Sequence, residues 1–145
     1  MKPIDHIPTS KIKRASELAK TGVKVGRNYL KYYGEKLVNP DLDKSKLNNA
    51  NAEDIYESLK NLKGSALKAA QMLSMEKNTL PGEFIEKFSL AQFSVPPLSA
   101  PLVNKTFRKY LNKNPEELFD RFNAEAVSAA SIGQVHEAWL DDKKM

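Results

Sequence analysis

The stretch Ser128-Ala129-Ala130-Ser131-Ile132-Gly133-Gln134-Val135-His136-Glu137-Ala138-Trp139-Leu140 decides how the rest of the chain is read. From Ser131 onward it alternates, with Ile132, Gln134, His136, Ala138 and Leu140 on one side and Gly133, Val135, Glu137 and Trp139 on the other. A period of two is the signature of extended backbone, so this segment is a strand. Asp141-Asp142-Lys143-Lys144 then reads as a turn at the start of a hairpin. No second strand follows, and a lone strand is not stable. The chain is therefore expected to be the front part of something longer.

Upstream of about Asn123 the texture is helical. Between Ser10 and Val38, Ile12, Ala15, Ala19, Gly22, Gly26, Tyr29 or Leu30, Tyr33 and Leu37 recur every three or four residues with lysines between them. This predicts an amphipathic basic helix with Ser10 as N-cap and Pro40 as stop, a solvated basic face lying over an ordinary packing stripe. Residues 39–50 are rich in turn formers and read as a linker. A second helix is expected from Asn51 to Met75, carried by Ile55, Leu59, Leu62, Ala66, Ala69 and Leu73, with Asn51 capping and Glu53 and Asp54 in its first turn. Leu80-Pro81 opens a third helix, closed by Val95-Pro96-Pro97, and Ser99 and Pro101 open a fourth through Val103, Phe107, Tyr110 and Leu111. Asn114-Pro115-Glu116-Glu117 caps a short fifth running through Leu118, Phe119 and Phe122. The expected fold is mainly α: about five helices, then the first β-strand or hairpin.

The 145 residues carry a net charge of +5 and no cysteine, which excludes thiolate metal sites, cysteine nucleophiles and a disulfide framework. No apolar run approaches the roughly 18 residues of a membrane-spanning helix, and Met1 to Pro8 lack the hydrophobic block of a signal peptide. These features predict a soluble, cytoplasmic protein, at most attached to a membrane surface. Residues 1–36 hold nine Lys and Arg against three acids, a balance of +6, so attraction to phosphate or lipid headgroups is expected to reside there. His6 and His136 are far apart and no metal site is expected. The carboxylate pairs Asp41/Asp43, Glu53/Asp54 and Glu116/Glu117 fall in a linker or in helix first turns, where acids serve the helix dipole rather than acid–base chemistry.

Two stretches could carry chemistry. Protein kinases cover nucleotide phosphates with G-x-G-x-x-G-x-V, a strand-turn-strand whose backbone N–H groups come close because glycine has no Cβ. Here the frame is Ser128-x-Ala130-x-x-Gly133-x-Val135, with the spacing kept and two glycines replaced by small residues. Taken alone it is equally a plain small-residue strand entry. In the second stretch, Lys63 to Met75, positions 64, 68, 71 and 75 share a helical stripe, which sets Lys68 beside Gln71 above Gly64. A solvent-facing Lys and Gln on a small-residue packing helix would look the same.

Together and in this order, the two stretches resemble the AarF/UbiB family of atypical kinases, the kinase-like proteins linked to ubiquinone and related isoprenoid lipid metabolism. The family's K-x-G-Q run is matched by Leu67-Lys68-Ala69-Ala70-Gln71-Met72-Leu73-Ser74, and its alanine-rich A-A-A-S-I-G-Q-V-H by Ser128 to His136. Ala70 stands where the family usually has glycine, at what would be the closest helix contact, and Ser128 where it often has alanine. The resemblance implies that residues 124–145 begin a truncated kinase-like N-lobe, α+β in the complete protein, and that 51–123 form a helical extension. It implies a nucleotide-binding loop of Ser128, Ala129, Ala130, Ser131, Ile132, Gly133, Gln134 and Val135 over the phosphates of ATP, with magnesium as the companion ion. It implies a regulatory Lys68 and Gln71 folded across the active site. The strand-three lysine, the catalytic Asp and Asn and the metal-binding Asp of D-F-G cannot be placed, Lys143 and Lys144 being assigned to the turn, so the 145 residues alone are expected neither to hydrolyse ATP nor to bind it tightly. The implied partners are a nucleotide and an anionic membrane surface or isoprenoid lipid, with no nucleic acid. The competing reading is a non-enzymatic helical module that binds an anionic membrane or a partner through the basic helix within residues 1–38.

Overall fold

The computed structural model describes residues 3–5, 7–76, 78–93 and 95–145; His6 lies outside them. Within these, five helices lead into one small antiparallel sheet: α1 (Lys11–Val38), α2 (Ser45–Leu62), α3 (Gly64–Leu73), α4 (Gly82–Phe93), α5 (Ala100–Leu111), then β1 (Arg121–Ala129), β2 (Gln134–Leu140) and β3 (Lys143–Lys144) in the order β1-β2-β3. The mainly helical class with a first hairpin is as the sequence implies.

α1 begins where its chemistry says it should, with the Ser10 hydroxyl accepting from the Lys13 N–H at 3.2 Å. Its orientation is the reverse of the expected one. The side packed on α2 is polar: Arg14 donates to the Leu62 carbonyl at 3.1 Å, Lys24 pairs with Asp54 at 3.4 Å, and Asn28 bonds Asn51 and Asp54 at 3.1 and 2.9 Å. Only Tyr32 is buried along the helix, its hydroxyl donating to the Leu42 carbonyl. The apolar stripe faces away, with Ile12 83%, Leu30 77% and Leu37 88% exposed. The periodicity identified the stripe correctly, but it cannot say which face meets the protein.

The second helix differs from expectation in two ways. It starts at Ser45 rather than Asn51, so half of the linker reading is corrected. Asp43 explains the start: its carboxyl is held below the usual carboxylate range by the Ser45 side chain and then by backbone N–H groups, an arrangement that secures the entry to the helix. It also breaks at Lys63 and Gly64, both at positive φ (47° and 54°), giving two helices instead of one to Met75. The break resets the helical phase. Leu67 and Ala70 therefore enter the core in place of Ala66 and Ala69, joining Tyr56 of α2 and Phe88 and Ala91 of α4. Ala70 is fully buried there, so its methyl packs among α2, α3 and α4 and not at the hairpin turn.

The fifth helix shrinks to a 3-10 turn, Pro115–Glu117, with the capping box that Asn114 and Glu117 promised. Phe122 belongs to β1. The recognised strand therefore has its long hairpin partner, β1, before it, and a two-residue partner, β3, after it. Two register shifts, between Phe122 and Ala126 and between Ala126 and Ser128, add residues to β1. Its inward positions become Phe122, Ala126 and Ala129, a spacing of four and three that imitates a helix. Asp141 and Asp142, both at positive φ, form the tight turn into β3, which corrects the placement of Lys143 and Lys144: they are in the strand.

Candidate functional site

The turn between β1 and β2 is closed by Ala129 opposite Gln134 and by the Ala130 N–H donating to the Gly133 carbonyl at 2.7 Å. The proposed nucleotide residues thus occupy one strand-turn-strand. Ile132 and Gly133 are exposed at its tip, and their N–H groups have no backbone acceptor among the described residues. Such free N–H groups at a small-residue tip are what an anionic oxygen can approach. Ser131 is buried because its carbonyl accepts the Gly64 N–H at 3.0 Å. That bond seats the start of α3 on the turn.

Lys68 and Gln71 lie one turn and two turns further along α3. The Lys68 ammonium donates to Gln71 Oε1 at 2.8 Å on the exposed side of the helix. The side-by-side arrangement expected from the spacing is present; the contact with the turn is made by Gly64 and not by Lys68.

The strand alternation sorts the hairpin into two faces. Val135 points outward, 62% exposed, whereas Gln134, His136 and Ala138 face the helices. Gln134 Oε1 accepts the Leu98 N–H at 2.7 Å, its amide nitrogen meets His136 Nε2 at 2.7 Å, and His136 Nδ1 meets the Asn123 carbonyl at 2.8 Å. Every atom in this chain is satisfied when Nδ1 donates to the Asn123 carbonyl and Nε2 accepts from the Gln134 amide. Phe122 stacks on the ring at 5.0 Å. The relay ties the turn to the Val95-Pro96-Pro97 segment, which is also anchored by Ile4 donating to the Pro97 carbonyl at 2.8 Å.

Sequence reasoning missed Lys63. It sits at the α2–α3 break, is 8% exposed, and its ammonium donates to the Pro96 carbonyl. The glycine that follows it signals a break, but nothing in the sequence marks the lysine as buried. Desolvation pushes its pKa below the ordinary 10.5. In the window between the folded value and 10.5 the unfolded chain holds a proton that the folded chain has released, so stability should rise with pH there. Tyr56, whose pKa is raised by burial and then by Glu57 and Glu53, acts in the opposite sense, starting only near its ordinary 10.0. Urea midpoints taken through the alkaline range below that point should therefore climb, and Lys63→Met should flatten the climb.

Between the back of the turn, the α2–α3 break, α5 and residues 7–9 lies a cavity of about 620 Å³. It is lined by Gln134 and His136 and not by Val135. Among the described residues, no three His, Cys, Asp or Glu side chains converge to hold a metal. The tip of the turn fits a phosphate; no magnesium ligand set accompanies it in these residues.

A small-residue turn is thus bonded to a helix that carries a Lys–Gln pair, on a hairpin that follows five helices. Residues 90–145 match the ABC1 atypical kinase-like domain. The chain belongs to the AarF/UbiB family of atypical kinases. It is 32% identical to the probable serine/threonine-protein kinase abkA of Dictyostelium discoideum over 96% of this chain and 26% of that protein. It is 33% identical to the mitochondrial atypical kinase COQ8 of Saccharomyces cerevisiae over 92% of this chain and 28% of that one. A probable protein kinase UbiB of Pseudomonas fluorescens is 35% identical over 51% of this chain and 14% of its own length. The chain thus spans about a quarter or less of the length of these relatives. No solved structure matches it.

Proposed function

We propose that the 128–135 turn is the phosphate-facing loop of an ATP site and that α3 lies across the mouth of that site, with Lys68 and Gln71 limiting what enters. The observation that carries this is the Gly64–Ser131 hydrogen bond, which makes the two motifs one structural unit. Val135, exposed on the opposite face from Gln134, is available to lie against an adenine ring. Ala130 adds a Cβ where protein kinases have glycine, so the loop is stiffer and holds its backbone farther from the phosphates. The complete protein is then a kinase or ATPase with magnesium delivered on the nucleotide, acting in ubiquinone or related isoprenoid lipid metabolism, as membership of the family suggests. Photolabelling the complete gene product with an azido-ATP should modify residues within 128–136, and label found only elsewhere would refute the assignment.

A second reading concerns α1. Its exposed stripe of Ile12, Leu30, Tyr33 and Leu37 runs beside an exposed basic edge of Lys20, Arg27 and Lys31. No described helix is long and apolar enough to cross a membrane. A helix of this kind lies in the plane of an anionic bilayer, apolar side down. At roughly 1.5–3 kcal/mol for each leucine transferred, Leu30→Glu with Leu37→Glu should weaken flotation on phosphatidylglycerol vesicles by about two orders of magnitude. Equal flotation of both forms would remove α1 as the anchor.

A further inference from the structure

The Gln134–His136 relay has its direction fixed at both ends. The Leu98 N–H can only donate, and it meets Gln134 Oε1 at 2.7 Å. The Asn123 carbonyl can only accept, and it meets His136 Nδ1 at 2.8 Å. The Gln134 amide nitrogen is thereby turned toward His136 Nε2, 2.7 Å away, and that ring nitrogen must supply a lone pair. One tautomer does both, with hydrogen on Nδ1 and Nε2 bare. A second proton has no place in this arrangement. On Nε2 it faces the Gln134 amide hydrogens, and rotating that amide to offer its oxygen sets its nitrogen against the Leu98 N–H. Either way a donor meets a donor, and the bond to Leu98 or the bond to His136 is lost.

Nothing packed around the ring offsets that conflict. Arg14 of α1, Lys63 of the α2–α3 break and Lys109 of α5 share a cavity wall with His136, and no Asp or Glu does among the described residues. From β1 the ring meets Phe122, stacked at 5.0 Å, and stands opposite Ala126. Glu137, next along β2, lies on the other face and pairs with Lys144. Of the acids in the segments flanking Phe122, Glu117 and Asp120 accept the backbone N–H groups of Asn114 and Asp141, and Glu125 is exposed.

We infer that His136 is a positioning residue for the 128–135 turn: its singly protonated ring orients the Gln134 amide, that amide holds the turn to the Leu98 N–H, and a second proton releases the hold. This rests on the reading of the turn as the phosphate-facing loop. Gln134 closes the turn opposite Ala129 and is also the acceptor for Leu98, so losing the amide's orientation frees the turn at its β2 foot. The hold is complete while the ring is neutral. It is lost as pH falls through the range, about 8 to 5, in which a histidine ordinarily takes up its proton. The Gly64–Ser131 bond does not involve the ring, so α3 stays seated on the turn while the β2 side loosens. His136 thus makes the geometry of the loop sensitive to pH without touching a nucleotide.

The test is a magnetic-resonance pH titration of the isotope-labelled 145-residue chain, begun near neutrality and carried downward until the His136 ring gains its proton. At the start the ring nitrogen shifts should show hydrogen on Nδ1 and a bare Nε2. As the ring titrates, Leu98 amide protection, corrected for its intrinsic exchange rate, should fall about tenfold, while protection of Leu67 and Gly64 changes less than about twofold. The Gly133 and Gln134 amide signals should move with the midpoint of the ring. His136→Gln offers an amide oxygen close to the place of Nε2 and takes up no proton, so it should keep Leu98 protected and abolish the pH dependence. If that variant does not fold, the titration of the unaltered chain decides alone. Hydrogen on Nε2 near neutrality, Leu98 protection unchanged as the ring gains its proton, Leu67 opening in parallel with Leu98, or the same pH dependence in His136→Gln would each overturn the inference. Azido-ATP label found only outside 128–136 removes the nucleotide reading and leaves the tautomer and exchange results standing, so the two failures are told apart.

Discussion

Leu67→Ala is expected to lower stability by about 3 kcal/mol and the thermal midpoint by on the order of 10 °C. Leu67 has no exposed surface and touches the core shared by α2, α3 and α4. Truncating it opens a cavity between elements held apart by Tyr56 and Phe88, whose large rings limit how far the site can collapse. The loss matters beyond stability because Leu67 is the residue that fixes the rotation of α3. Lys68 follows it directly and Gln71 lies one turn further along α3, so the direction of both depends on how Leu67 is seated. A loss below about 1 kcal/mol would mean that α3 is not packed as described. Chemical denaturation of the two proteins side by side decides it.

Gln134→Leu is expected to cost about 1–3 kcal/mol while changing side-chain volume little. It strands the Leu98 N–H, which now has an apolar group where its acceptor was, and removes the donor facing His136 Nε2. The turn should loosen from the Pro96-Pro97 segment. The signature is local: the Leu98 amide should exchange with solvent far faster, while amides in the α2–α4 core, Leu67 among them, change only as much as global stability does. Unchanged Leu98 protection would show that the side chain is not its acceptor.

Much of this was legible in the residues, for identifiable reasons. Ser10 and the Asn114 box mark their elements because capping chemistry is local, and Ser99 stands at the N-cap position of α5 although its hydroxyl makes no capping bond. The Ser128 to His136 motif pointed to the turn before any strand pairing was known. What stayed hidden depends on tertiary choice. The exposed side of α1 was decided by Asn28, Lys24 and Arg14 finding partners on α2, and no periodicity records that competition. β1 was unreadable because its bulges give Phe122, Ala126 and Ala129 a helical spacing. The α2–α3 break lay within an uninterrupted apolar pattern, with only Gly64 to betray it. Lys63 looked like any surface lysine until the break turned it inward.

The most direct measurement is the scalar coupling across the hydrogen bond from the Gly64 amide nitrogen to the Ser131 carbonyl carbon in the isotope-labelled chain. The account predicts a detectable coupling and a Gly64 amide that exchanges slowly, because this one bond seats the helix of Lys68 and Gln71 on the alanine-bearing turn. No coupling, together with a Gly64 amide exchanging as fast as one open to solvent, would contradict it.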